Sequence, residues 1–210
     1  MKNNPDIIWL DETDSSNDEA RRAIDSLDNL SVVAVRCQTA GRGQGTNSWL
    51  TAPGENLTFS IVLKDFDILP KELVAISQIT ALSIVDFLSL YGIDARIKLP
   101  NDIYVGARKI SGILIENSIC AGKLRWSIIG IGINVNQTVF PTSLPNPTSM
   151  SLERNHPTHN LHNHDMDLNI LLLQFREIFT EYYNQYIFCR DEGRLQILEQ
   201  LFKSKLLIPR

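Results

Sequence analysis

Residues 37–63 read C-Q-T-A-G-R-G-Q-G-T-N-S-W-L-T-A-P-G-E-N-L-T-F-S-I-V-L, a stretch whose residue types suit the gripping of an anion. Gly41, Gly43 and Gly45 alternate with Arg42 and Gln44, and Trp49 follows. Glycine tolerates positive φ and close approach of a ligand, so such a run can turn its amides toward a phosphate or carboxylate. Arg42 adds a planar, permanently charged fork that suits the same groups. No G-K-[ST] follows at P-loop spacing, so a nucleotide bound here is bound in another way. Glycine-rich loops between strands are common, and the loop alone does not decide a ligand.

Further polar residues fall where a strand or turn would otherwise be apolar: 14–17, 98–102 and 108–112, with Asn134 and Asn136 beyond them. Each has an ordinary explanation. Asp14, Ser15 or Ser16 could N-cap a helix, Asn101-Asp102 could be a turn, and Lys109 could be a solvated hairpin residue. Taken together with the loop, these polar places between β elements point to a ligand site.

The elements that must position them follow from hydrophobic period. Short apolar runs at 7–10, 32–36 and 57–63 predict strands, the second feeding the glycine loop and the third anchoring its far side. A helix carrying Ala20, Ala23, Ile24 and Leu27 on one face separates the first two. Pro70 opens a long helical pattern through Leu73, Ile76, Ile79, Ile84 and Leu88, and Gly92 stops it. Residues 95–99, 103–105, 109–117 and 123–133 predict strands, the last three joined by turns at Gly106-Ala107 and Ala121-Gly122 into an antiparallel meander. From 137 to 167 the composition turns to Pro, Asn, Thr, Ser and His, which predicts a surface loop with one short helix at 149–154. His156, His159, His162 and His164 lie there, and no Cys or carboxylate completes a metal-ligand pattern around them. Residues 168–186 and 191–201 predict two further helices.

With 210 residues, 43% of them apolar, the chain has material for one globular domain with a sizeable core. A net charge of −4 argues against a nucleic-acid binder. No apolar run approaches a membrane span, and M-K-N-N-P-D has no signal-peptide core. Cys37, Cys120 and Cys189 are too few and too scattered for a disulfide frame, which predicts reduced thiols and a cytoplasmic protein.

The segments D-S-S-N (14–17), Q-T-A-G-R-G-Q (38–44) with Trp49, K-L-P-N-D (98–102), R-K-I-S-G-I-L-I-E (108–116) and G-I-G-I-N-V-N (130–136) together resemble a biotin–protein ligase. They occur in that family's order and cover about residues 6–140. The related lipoate–protein ligases share the fold but lack the K-[WL]-P-N-D segment. The resemblance implies an α+β fold: a mixed, largely antiparallel sheet with helices on one face, of class II synthetase-like type. It implies a two-step ligase in which biotin and MgATP give biotinyl-5′-adenylate and pyrophosphate. The biotinyl group then passes to a lysine of a biotin-carrier domain, such as that of acetyl-CoA carboxylase, with no nucleic-acid or membrane partner. Rival readings are a lipoate or octanoate ligase or transferase, and a biotin- or adenylate-binding module that transfers nothing.

By the same resemblance Ser15, Ser16, Asn17, Gln38, Arg42, Gly43, Gln44 and Lys109 line the biotin pocket. Gly41, Gly43, Trp49, Asn101, Lys109 and Asn134 lie at the nucleotide, with Asn101 and Asn134 as magnesium ligands. Lys109, Arg42 and Asp102 are the implied catalytic groups: the two cations offset repulsion between carboxylate and α-phosphate, and Asp102 orients the incoming lysine. Two departures stand out. Gln44 replaces an arginine found in many family members, and Leu99 a tryptophan found in most. The resemblance also sets the domain expectation: a catalytic domain over 1–205, without an N-terminal helix-turn-helix domain and with the usual small C-terminal β-barrel domain absent or truncated.

Overall fold

A computed structural model describes residues 6–64, 68, 72–154, 165–188 and 192–208. The strands form one mixed sheet of seven in the order β1-β2-β3-β7-β6-β5-β4. By contacts the chain divides into two compact units, one of residues up to Leu73 with Ile113–Gly132, the other of Val74–Gly112 with the residues from Ile133 onward.

In the first unit, β1 (Ile7–Thr13) runs parallel to β2 (Val32–Gln38), and α1 (Ser16–Arg22) makes the crossover between them. β3 (Leu57–Leu63) is antiparallel to β2 and is buried at every position. Each buried Leu, Ile, Val or Phe contributes roughly 1.5–3 kcal/mol of burial, so β3 is a firm anchor for the loop that precedes it. Ala20, Leu27, Val33, Val62 and Ile128 close the core under α1, with Leu10, Ile24 and Trp126 packed around them. Ala121 and Gly122, both at positive φ (50° and 76°), turn β6 (Arg108–Cys120) into β7 (Lys123–Ile133). A two-residue turn of that kind suits the twist of a hairpin.

In the second unit, α2 (Leu73–Ser89) buries Ile76, Ile79, Leu82, Ile84, Phe87 and Leu88. Phe87 meets Phe175 of α4 (Leu168–Tyr182) edge-on, ring centres 5.8 Å apart. The Asp167 side chain caps α4 by accepting from Asn169 N at 2.8 Å. β4 (Arg96–Lys98) pairs antiparallel with β5 (Asp102–Val105), and β5 with the start of β6.

Several expectations are redrawn. β1 runs on to Thr13, because its parallel partner β2 continues to Gln38. The helix predicted over 168–186 is α-helical to Tyr182 and then widens into a π-helical turn over Tyr183–Phe188. The short helix expected at 149–154 forms as α3 (Met150–Arg154), while α5 spans Glu192–Ser204, beyond the predicted 201. Near the end of the chain Leu206 bridges to Ile97: Ile97 N donates to Lys205 O at 2.9 Å and Leu207 N to Ile97 O at 2.7 Å. Pro70, Cys189 and all four histidines lie outside the described residues. Among the described residues, no helix is long and apolar enough to cross a membrane.

Candidate active site

Two side-chain clusters gather the predicted residues, one in each unit. The first forms where β1 hands over to α1. Ser15, Ser16 and Asn17 are all buried there. The sequence offered Asp14, Ser15 or Ser16 as the helix cap, and the N-cap falls on Ser15. Ser15 occupies the cap position without a side-chain bond. Gln38, at the end of β2, instead accepts from Ser16 N through its Oε1 at 2.8 Å. Ser60 Oγ on β3 stands 2.8 Å from Ser16 Oγ and donates to Asn17 Oδ1 at 2.6 Å. Asn17 Nδ2 donates to Leu114 O at 3.2 Å and Glu116 Oε2 at 2.8 Å, so its amide joins α1 to β6. Buried polar groups need such partners, and for Ser16 and Asn17 they are supplied by neighbouring strands.

The glycine loop folds on itself as a small hairpin. Arg42 bridges to Ser48, Trp49 N donates to Gly41 O at 2.9 Å, and Gly43 N donates to Asn47 O at 2.7 Å. The three glycines therefore answer to different causes. Gly45 has positive φ at the turn. A Cβ on Gly41 would stand 2.3 Å from Trp49 O, and one on Gly43 would be 3.2 Å from Asn47. The Gly43 amide, offered to an anion in the sequence reading, is engaged inside the loop. Gln44 lies exposed at its tip.

Arg42 does not project alone. Its guanidinium pairs with Glu116 Oε2 at 2.8 Å and Asp18 Oδ1 at 3.0 Å. Arg21 reaches the same two carboxylates, Glu116 Oε1 at 2.6 Å and Asp18 Oδ1 at 2.7 Å. Burial alone would push the Glu116 carboxyl up; hydrogen bonds from Arg42 and Asn17 and the nearby guanidinium charges outweigh it and hold it below the usual carboxylate range. An anion arriving at Arg42 must compete with two carboxylates already in place.

The second cluster is built on the β4–β5 hairpin and the start of β6. The turn carries a cis Leu99–Pro100 bond and Asn101, and it places Asp102 opposite Gly112 across β5 and β6. Lys109, two residues into β6, pairs through Nζ with Asp102 Oδ1 at 2.6 Å. Its backbone is gripped from one side: Lys109 N donates to Asn146 O at 2.8 Å and Thr148 N donates to Lys109 O at 2.9 Å. Asn134, 5% exposed just after β7, donates from Nδ2 to Thr148 O at 2.8 Å and from its backbone N to Ile110 O at 2.9 Å. This committed Nδ2 leaves Oδ1 as the atom Asn134 offers to a cation. Carboxamide oxygens suit magnesium, which seeks oxygen and keeps most of its shell from water and phosphate. Among the described residues no group of three His, Cys, Asp or Glu is arranged to hold a metal by itself. The donor set fits an ion that arrives with a nucleotide.

The sequence pattern of the Biotin/lipoate A/B protein ligase family matches residues 9–134. The chain belongs to that family. It is 36% identical over 150 residues to the bifunctional ligase/repressor BirA of Bacillus subtilis, a match covering 69% of this chain and 46% of that protein. It is 34% identical over 133 residues to a biotin–[acetyl-CoA-carboxylase] ligase of Paracoccus denitrificans, covering 60% of this chain and 53% of that one. The chain thus spans about half the length of the curated relatives it matches. Its fold superimposes on the biotin protein ligase of Aquifex aeolicus, solved in complex with biotin and ATP, with a TM-score of 0.75 and 28% identity, covering 96% of this chain and 78% of that one.

Within this ligase-family frame, several residues of the clusters have parts that the sequence reading did not assign them. Gly130 and Gly132 alternate on β7, and each makes room for a predicted residue. A Cβ on Gly130 would fall 2.4 Å from Asn17 Oδ1, and one on Gly132 would fall 2.2 Å from the Trp49 indole. Two glycines at a period of two in an otherwise isoleucine-rich strand are a legible sign of close approach. Asp18, Arg21 and Ser60 carried no sign of their own, since each looks like an ordinary helix or strand residue until the fold places it, and Glu116 closed the quoted 108–116 segment without a part assigned to it. Thr148 lay inside a segment read as surface, yet it is 1% exposed.

Proposed function

We propose that the chain is an ATP-dependent biotin–protein ligase of the AMP-forming kind. In the first step a biotin carboxylate oxygen bonds to the α-phosphorus of ATP and pyrophosphate leaves. In the second, the amine of a carrier-domain lysine attacks the acyl carbon, AMP departs, and the amine gives up a proton. The observation that carries this reading is the Lys109–Asp102 pair at 2.6 Å, a cation held beside a carboxylate at the start of β6.

Each cluster has its part. Ser15, Ser16 and Gln38 offer hydroxyl and amide groups matched to a ureido ring, which presents one carbonyl and two N–H groups. Asn17 fixes Ser60 and Glu116 around them. Arg42 and Gln44 take the biotin carboxylate, Gly43 closes the loop beneath them through its own amide, and Gly41 and Trp49 belong to the loop that covers the nucleotide and keeps water from the mixed anhydride. In the second unit Lys109 balances developing negative charge on carboxylate and phosphate, and Asp102 orients the acceptor lysine. Asn101 and Asn134 would hold magnesium, whose chemistry when bound is to neutralise phosphate oxygens. The partner is the biotin-carrier domain of a biotin-dependent carboxylase. Cys37 and Cys120 are both free, which suits the cytoplasm.

Incubation with MgATP, labelled biotin and a purified carrier domain tests the transfer. The carrier should become labelled on one lysine. A protein that binds biotin and never labels the carrier is a binding module, and the ligase reading fails.

A further inference from the structure

The backbone of Lys109 is held by a segment beyond the family pattern, which ends at residue 134. Asn146 O takes its N–H at 2.8 Å and Thr148 N meets its carbonyl at 2.9 Å, with Pro147 bridging between them. Thr148 carries the arrangement further. Its carbonyl accepts from Asn134 Nδ2 at 2.8 Å, and its hydroxyl donates to Glu153 Oε1 at 2.5 Å. Glu153 is 7% exposed, and its other oxygen accepts from Arg108 Nη2 at 2.9 Å. Arg108 is the residue before Lys109, so one buried carboxylate restrains the strand at Arg108 and the clamp at Thr148.

A buried carboxylate is costly to desolvate, and a buried ion pair exchanged whole for apolar residues of similar size is often neutral or better for stability alone. A stability argument therefore accounts poorly for Glu153. A geometric one accounts well, because both its oxygens bear on the position of one backbone unit. We propose that Glu153 is a positioning residue for adenylate formation: through Thr148 and Arg108 it holds the Lys109 backbone, and so the amine, in register with Asp102. This rests on the reading of Lys109 given above. Misplacing a reacting group by about 1 Å can cost on the order of a hundredfold in rate, so loss of the clamp should appear in the chemical step and not in biotin binding.

The test compares Glu153→Leu, Thr148→Val and Thr148→Ser in the full chain, following two readouts. One is amide hydrogen exchange over 107–111 and 144–149. The other is the biotin dissociation constant set against the single-turnover rate of adenylate formation. Glu153→Leu and Thr148→Val should speed exchange at Lys109 and slow adenylate formation at least about tenfold, with biotin affinity changed less than about twofold. Thr148→Ser, which keeps the hydroxyl, should restore both. Should Glu153→Leu not fold, Thr148→Val removes the same hydrogen bond at nearly constant volume. An unchanged adenylation rate in Thr148→Val, or equal losses in Val and Ser, overturns the proposal. Lys109→Ala serves as the separate control: near-normal turnover there would overturn the role of Lys109 itself, whatever the exchange data show for the clamp.

Discussion

Arg42 and Lys109 are the central cations of their clusters, and the molecule holds them in opposite ways. Arg42 sits on a self-paired loop, 38% exposed at its side chain, and is held there by Asp18 and Glu116, which it shares with Arg21. Lys109 sits in a strand, its backbone clamped by Asn146 and Thr148 and its amine paired with Asp102. The two cationic side chains are similarly exposed, 38% and 32%, and pairs of that kind exchange readily; the difference lies in the backbone, which at Lys109 is fixed by hydrogen bonds from Asn146 and Thr148. One cation can be released to an incoming anion. The other is carried on a backbone held in place from one side.

The sharpest way to break this contrast is Lys109→Ala. It should lower adenylate formation by about 10²–10³-fold, the usual cost of removing one pre-organised charge-stabilising donor, while the melting temperature changes little. Near-normal turnover would show that the fixed cation is not the working one. Next in size is Gly132→Ala. Its Cβ would fall within 2.2 Å of the Trp49 indole, and such overpacking costs about 1–3 kcal/mol. The indole should move and carry the glycine loop with it, weakening ATP binding. Trp49 fluorescence, isolated in a Trp9→Phe, Trp126→Phe background, reports the displacement; an unchanged spectrum with unchanged ATP affinity would contradict it.

Much of this framework was legible in the sequence. Strands β2, β3 and β7 stand at or close to the predicted bounds, because alternating or continuous runs of β-branched residues mark strands whatever surrounds them. The turns at Gly106 and Gly122 were marked by residues that tolerate positive φ. The partners of the two cations were not legible. Glu116 lies seventy-four positions from Arg42, and no local pattern pairs them. The clamp on Lys109 was hidden for another reason: Pro147, Thr148 and Ser149 have the composition of a loop, and no local pattern tells that Thr148 and Ser149 are buried or that Pro147 bridges to Lys109. The serines of D-S-S-N looked like helix caps because hydroxyls at that place usually are; Gln38, twenty-two residues from Ser16, took that task.

Acid pH sharpens the exchangeable half of the comparison. Glu116 has a folded-state pKa held below its ordinary value. Such a group contributes stability above its unfolded pKa and loses it as pH falls through the folded one. Thermal stability of the wild type should therefore decline as pH drops below about 4, and Glu116→Gln should flatten part of that slope. Because the pairs are partly exposed, the difference should stay within about 1 kcal/mol. An identical pH profile for the two proteins would remove Glu116 from the network. The smallest effect belongs to Gln44→Arg. An added exposed cation is worth roughly 0.2–1 kcal/mol, so the half-life of the enzyme-bound adenylate should lengthen by up to about fivefold. An unchanged half-life would mean that the loop gains nothing from a second charge at its tip.

The central claim is that this chain activates biotin, and biotin-dependent ATP–pyrophosphate exchange measures that without any carrier protein. With MgATP and labelled pyrophosphate, biotin should start exchange in the wild type and lipoate should not. Exchange driven by lipoate in preference to biotin, or no exchange with biotin bound, would contradict the account.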